Sequence, residues 1–150
     1  MQTLNLPNYP KKISYKKTKP FIFDRVRRKN VALTPEEWVR QHFVNYLITE
    51  KNYPIERIAN EVTVSLNGMS RRCDTVIYNA YIEPVAIIEY KAPTVRITQN
   101  VFEQITRYNS CLHVGFLMVT NGLEHFCCKI DYERMTYAYL GEIPGYEEIL

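Results

Sequence analysis

The sequence predicts an α/β fold in which a mixed central sheet is flanked by helices, and three observations carry that prediction. Apolar residues recur at helical spacing over residues 34–51 and 98–112. Between and after these stretches lie short runs rich in β-branched and aromatic residues, punctuated by Asn67-Gly68 and Asn121-Gly122. The resulting order is helix, three strands, helix, two strands. A strand meander followed by a crossover helix gives a layered core around a mixed sheet.

Residues 1–20 are rich in Lys, Pro and Asn and read as a loosely ordered basic arm. Residues 21–150 are read as a single domain, long enough for a real core. Phe21-Ile22-Phe23 reads as a short strand or an apolar anchor. Thr34-Pro35-Glu36-Glu37 opens the first helix, with threonine as the N-cap, proline at the first position and Glu37 completing a capping box. Trp38, Val39, Phe43, Tyr46 and Leu47 form its apolar stripe, and Asn52-Tyr53-Pro54 ends it. The first strand falls within 57–66, and the second and third surround Cys73-Asp74-Thr75-Val76-Ile77-Tyr78 and Val85-Ala86-Ile87-Ile88. Thr98 caps a helix over 99–112, with Val101, Phe102, Ile105, Tyr108 and Leu112 inward. Strands over 113–120 and 123–129 follow, then an acidic, tyrosine-rich tail.

The net charge is only +3, but nine of the nineteen basic residues lie within 1–30, against one acid, Asp24. The rest carries ten basic and fifteen acidic residues. Arg25, Arg27, Arg28 and Lys29 abut the first helix and are the best candidates for phosphate contacts, with a solvated tail as the alternative for the extreme N-terminus. No apolar run approaches the ~20 residues of a membrane span, and no signal-like segment is present, so a cytoplasmic location is expected. The cysteines (Cys73, Cys111, Cys127, Cys128) have no disulfide framework. Cys127 and Cys128, with His113 and His125 nearby, lack zinc spacing and would face opposite sides of a strand, so they read as reduced core thiols.

Asp74 and the triplet Glu89-Tyr90-Lys91 interrupt stretches that otherwise read as buried strands. If 80–83 form a four-residue hairpin loop, Asn79 faces Pro84, Tyr78 faces Val85, Val76 faces Ile87 and Asp74 faces Glu89. Opposed Cβ atoms lie ~5 Å apart, where two carboxylates repel unless a cation separates them. Carboxylates are hard oxygen ligands suited to Mg²⁺, Mn²⁺ or Ca²⁺. Lys91 falls on the same face as Glu89, an arrangement suited to phosphodiester hydrolysis. The competing reading is a pair of strand ends with a local salt bridge.

At these positions the chain resembles the PD-(D/E)xK nuclease superfamily, with Asp74 as the aspartate and Glu89-Tyr90-Lys91 as the triplet; Cys73 stands where that pattern has proline. Gln104-Ile105-Thr106-Arg107-Tyr108 resembles the QxxxY element of RecB-like nucleases, and 34–41 resembles the opening helix of the N-terminal domain of type I restriction enzyme R subunits. The resemblance implies a restriction-endonuclease-like core and a Mg²⁺- or Mn²⁺-dependent DNA endonuclease. In it Asp74 and Glu89 bind metal, Lys91 is catalytic, and Gln104, Tyr108 and one of Glu36 or Glu37 support the site. Arg72, on the face of Asp74, is a further phosphate candidate, and Glu61 an outlying acid. The chain has no GxxxxGK[ST] phosphate loop, so the ATP-driven motor of a full R subunit is absent from it. Two rivals follow: a nucleic-acid-binding module that does not cleave, and an accessory subunit working with helicase or methyltransferase and specificity partners.

Overall fold

The computed structural model describes residues 1–109 and 112–150, with the side chains of Leu66 and Tyr108 also outside the described set. Cys111 and the Tyr108 side chain, both singled out from the sequence, therefore lie outside the described residues.

β1 (Ile13–Lys16), β2 (Lys19–Asp24) and β3 (Lys29–Ala32) form a small antiparallel sheet in that order. Part of the stretch expected to be loose is thus in strands. The residues before it are tied to the rest of the fold by several contacts, among them two hydrogen bonds. Trp38 Nε1 donates to the Gln2 carbonyl at 2.8 Å, and the Asn5 N–H donates to the Gly122 carbonyl at 2.8 Å. Gly122 has φ +86°, the left-handed region that favours glycine, and a Cβ there would lie 2.7 Å from a Leu4 methyl and push it aside.

α1 spans Pro35–Glu50, and the Thr34 hydroxyl accepts from the Glu37 N–H at 3.1 Å, as the cap motif requires. The capping box is only half made. Glu37 turns its carboxylate to Arg27 Nη2 (2.7 Å) and Gln41 Nε2 (2.9 Å), and the Thr34 N–H donates instead to the Ala32 carbonyl. A charge-assisted bond to arginine outcompetes a return bond to a neutral amide. Asn52, at φ +60°, turns the chain away after the helix.

The main sheet has six strands in sequence order: β4 (Ile58–Leu66), β5 (Met69–Tyr78), β6 (Pro84–Tyr90), β7 (Phe116–Thr120), β8 (His125–Asp131) and β9 (Thr136–Tyr139). Neighbours are antiparallel except β6 and β7, which run parallel and are joined through α2 (Gln99–Asn109). β9, in the tyrosine-rich tail, was not expected from the sequence.

Both faces of this sheet are covered, which is why its central strands read as continuous apolar runs. Ile77, Ile88, Met118 and Cys127 share a core with Val39, Phe43 and Leu47 of α1. Val76, Ile87, Leu117 and Cys128 share the other with Phe102 of α2. The period-2 alternation of strands divides each adjacent pair between the two cores, Cys127 and Cys128 included. Each fully buried Phe or Leu contributes ~1.5–3 kcal/mol.

The β5–β6 register holds where it matters, with Val76 facing Ile87 and Thr75 facing Ile88. It departs from expectation at the turn. A bulge sets Tyr78 against Pro84 rather than Val85, and the loop takes in Asn79. Asn79 Oδ1 accepts from the N–H groups of Tyr81 (2.9 Å) and Glu83 (3.0 Å), a side-chain turn that absorbs the extra residue.

Candidate functional site

The β5–β6 register, continued by one residue, sets Asp74 opposite Glu89 on the α2 face, where β6 ends beside β7. Asp74 Oδ2 accepts from the Tyr90 N–H at 3.0 Å. Its backbone carbonyl accepts from Arg40 Nη1 at 2.7 Å. Glu89 differs: its Oε1 is buried and has no hydrogen-bond partner among the described residues. Burial pushes the Glu89 carboxyl up to about 8, with the Asp74 carboxylate adding to the shift and Lys91 opposing it. Two acidic groups pressed together with one oxygen unsatisfied form a site short of positive charge.

Asp74, Glu89 and Lys91 line an open cleft of about 570 Å³ together with Glu36, Arg40 and Glu61. A second depression of about 310 Å³ meets it at Glu89 and Lys91 and is walled by Gln104 and Asn109 of α2. A third, of about 520 Å³, meets it at Glu61 and is lined by Arg27, Lys29 and Arg72. The three form a continuous polar trough with the acidic pair near its middle.

The structure separates the two acids at the start of α1. Glu36 lines the cleft, whereas Glu37 is 5% exposed and ion-paired with Arg27 and Arg40. Gln104 is exposed beside Lys91, so it faces the trough rather than the core. The basic tract also divides. Arg25, Arg28 and Lys29 are exposed, but Arg27 is bound to Asp24 and Glu37 and has little freedom to meet a phosphate. Arg72 is 64% exposed in its side chain and pairs with Glu61 at 3.1 Å.

Beneath the cleft runs a network that the sequence did not announce. Arg40, 5% exposed, donates to Glu61 Oε1 at 2.6 Å; its Nε lies 3.2 Å from Glu37 Oε2, an ion pair poorly angled for a hydrogen bond. Burial raises the Glu61 carboxyl, but the bonds from Arg40 and Arg72 outweigh it and hold the group below its ordinary value. Glu61 has φ +55° within β4, directly across from Asp74, a conformation that costs ~1–3 kcal/mol for a non-glycine residue. On the other side, Tyr90 OH donates to Thr75 Oγ1 (3.0 Å), Thr75 donates to Asn60 Oδ1 (2.7 Å), and Asn60 Nδ2 donates to Asp24 Oδ2 (3.1 Å). The middle residue of the triplet is thereby tied to the N-terminal sheet.

A divalent cation fits this donor set. Asp74 and Glu89 supply hard oxygens, and Glu89 Oε1 has an unfilled coordination site. Among the described residues no group of three or more His, Cys, Asp or Glu forms a ready-made cage. Two carboxylates plus water are nonetheless the usual protein share for Mg²⁺.

The profile of the family described as Type I restriction enzyme R protein N terminus matches residues 35–144. The chain belongs to that family. No curated protein matches the chain. Among solved structures, a fragment of a putative HsdR subunit of a type I restriction enzyme from Vibrio vulnificus YJ016 is similar, with a TM-score of 0.55 and 21% identity. The likeness covers 78% of this chain and 24% of that one, so this R-protein N-terminal fold spans about a quarter of the fragment. The match agrees with a restriction-endonuclease-like α/β core.

Proposed function

We propose that the chain is a divalent-cation-dependent DNA endonuclease of the PD-(D/E)xK type, working within a type I restriction system. The observation that carries this reading is Glu89 Oε1, buried and unpartnered opposite Asp74 with Lys91 beside it. A structural salt bridge would satisfy that oxygen; a cation site leaves it waiting.

Asp74 and Glu89 hold Mg²⁺ or Mn²⁺, which when bound supplies Lewis acidity and positive charge at the scissile phosphate. Lys91 orients the attacking water and stabilises the charge that builds on the phosphoryl oxygens. Attack at phosphorus breaks the bond to the 3′ oxygen, leaving a 5′-phosphate and a 3′-hydroxyl. Tyr90, through its N–H, fixes the Asp74 carboxylate. Gln104 meets the strand on one side of the centre; Lys29 and Arg72 meet phosphates on the other, with Arg25 and Arg28 extending the contact. Tyr108 supports the α2 side by resemblance. Glu36 is the preferred additional acid. Helicase and methyltransferase or specificity subunits are the partners such a system supplies.

The test is incubation of the purified protein with plasmid and linear DNA in Mg²⁺, Mn²⁺ or EDTA. Cation-dependent nicking or linearisation that Asp74→Ala abolishes is the expected result. Cation-independent DNA binding without cleavage would favour a binding module instead. Cleavage only with motor subunits present would favour the accessory role.

A further inference from the structure

Asn109 closes α2 at the wall of the depression it shares with Glu89, Lys91 and Gln104. It is fully buried, at 0% exposed. Its Nδ2 donates to the Ile105 carbonyl at 3.0 Å, while its Oδ1 has no partner among the described residues. Exchanging the amide's oxygen and nitrogen would press an oxygen against the Ile105 carbonyl, so this orientation is fixed. The Asn109 amide also faces the Glu89 carboxyl and lowers it, as a donated hydrogen bond does, against the larger raising effects of burial and Asp74. Two buried acceptor oxygens, Asn109 Oδ1 and Glu89 Oε1, thus belong to residues that line one depression, and neither oxygen has a hydrogen-bond partner among the described residues. Acceptors do not satisfy each other; a hydrated cation satisfies both, one by coordination and one through its water.

We propose that Asn109 is a positioning residue of the cation site, holding Glu89 turned toward Asp74 and accepting a hydrogen bond from the cation's water shell. This rests on the divalent-cation reading above. Asn109 touches no reacting atom; it acts through Glu89 and the shell. Partners of metal ligands of this kind typically change metal affinity by ~10–100-fold when lost.

The experiment is a Mn²⁺ titration of the full chain followed by calorimetric melting, without DNA, on wild type, Asn109→Leu, Asn109→Asp and Asp74→Ala. Asn109→Leu is near in volume; it removes the unpaired oxygen, which offsets the loss of the bond to Ile105, so its cation-free melting temperature should stay close to that of wild type. Its Mn²⁺ affinity should fall ~10-fold or more. Asn109→Asp keeps the acceptor and adds charge, so it should melt lower without cation and retain Mn²⁺ affinity within a few-fold. A structural asparagine gives the opposite pattern, with Asn109→Leu melting lower at unchanged Mn²⁺ affinity, and that result overturns the assignment. If Leu is not accommodated, Asn109→Ala carries the same expected loss, and unchanged affinity there is equally decisive. When wild type responds to Mn²⁺ and Asp74→Ala does not, the cation site stands whatever Asn109 does. No Mn²⁺ response in wild type overturns both proposals.

Discussion

Replacing Glu89 with glutamine tests the acidic pair directly, because the structure fixes the sign of the effect as a function of pH. Burial and Asp74 raise the Glu89 carboxyl from 4.5 to about 8 in the folded, cation-free protein. Between these values the folded state keeps a proton that the unfolded chain releases. Stability therefore falls as pH rises through this window, by up to ~1.4 kcal/mol per pH unit. The cleft is open to water, which screens part of this effect, so ~2 kcal/mol at pH 8 is the working figure. Glutamine has no such proton to lose. Glu89→Gln should match wild type near pH 4.5 and melt ~4–8 °C higher at pH 8 with EDTA, for a chain of this length. With Mn²⁺ the order should reverse: wild type gains ~2.7 kcal/mol at a concentration 100 times Kd, and the variant gains almost nothing. Differential scanning calorimetry at pH 4.5, 6.5 and 8, with and without Mn²⁺, reads all of this. A variant that melts below wild type at every pH would refute the reasoning, because Glu89 would then be making a stabilising contact instead of waiting for a cation.

Lys91→Ala should leave DNA binding in Ca²⁺ within a few-fold of wild type while cleavage in Mg²⁺ drops ~10²-fold; equal losses in both assays would make Lys91 a docking residue. Neutralising Arg25, Arg28 or Lys29 should flatten the salt dependence of DNA binding by roughly one unit per lost phosphate contact, which filter binding or fluorescence anisotropy across a salt series would measure. Arg27→Gln should act differently, since it strips the buried Asp24 of its cation and Glu37 of one of its two: a loss of ~3–5 kcal/mol in urea unfolding is expected, with little change in salt slope. Arg40→Met should cost a similar ~3–5 kcal/mol, by leaving Glu37 and Glu61 facing each other without a shared guanidinium.

The central hairpin and its carboxylates were legible because alternation is rigid. Once Val76 faces Ile87, Asp74 and Glu89 follow. The turn was less legible, because an asparagine side chain can absorb one residue and move a bulge without altering the pairs beyond it. In the small sheet Phe21-Ile22-Phe23 marked β2, but β1 and β3 were hidden for another reason. Ile-Ser-Tyr-Lys and Lys-Asn-Val-Ala are short and mix lysine with few apolar residues, and what stabilises the sheet includes Asp24 paired with Arg27 and Asn60, contacts set by the tertiary fold. Glu37 was misread as a helix cap because the sequence shows its neighbour Thr34 but not its distant partner Arg27. Arg40 and Asn109 were missed because each has an ordinary structural reading in its helix; their importance lies in where the helices dock. The buried oxygens of Glu89 and Asn109 leave no trace in any local pattern.

The hydrogen-bonded chain from Asp24 to Tyr90 bears on where this unit can be cut. The family match starts at residue 35, just inside α1. A fragment trimmed to that boundary would lose Asp24 and Arg27, stranding Asn60 without its acceptor and Glu37 with half its positive charge. It would also lose the segment of residues 1–12, whose Gln2 carbonyl accepts from Trp38 and whose Leu4 packs on Gly122. The portable unit for grafting or expression thus begins well upstream of the recognisable family segment, and an inactive short fragment would report a missing brace, not a missing activity.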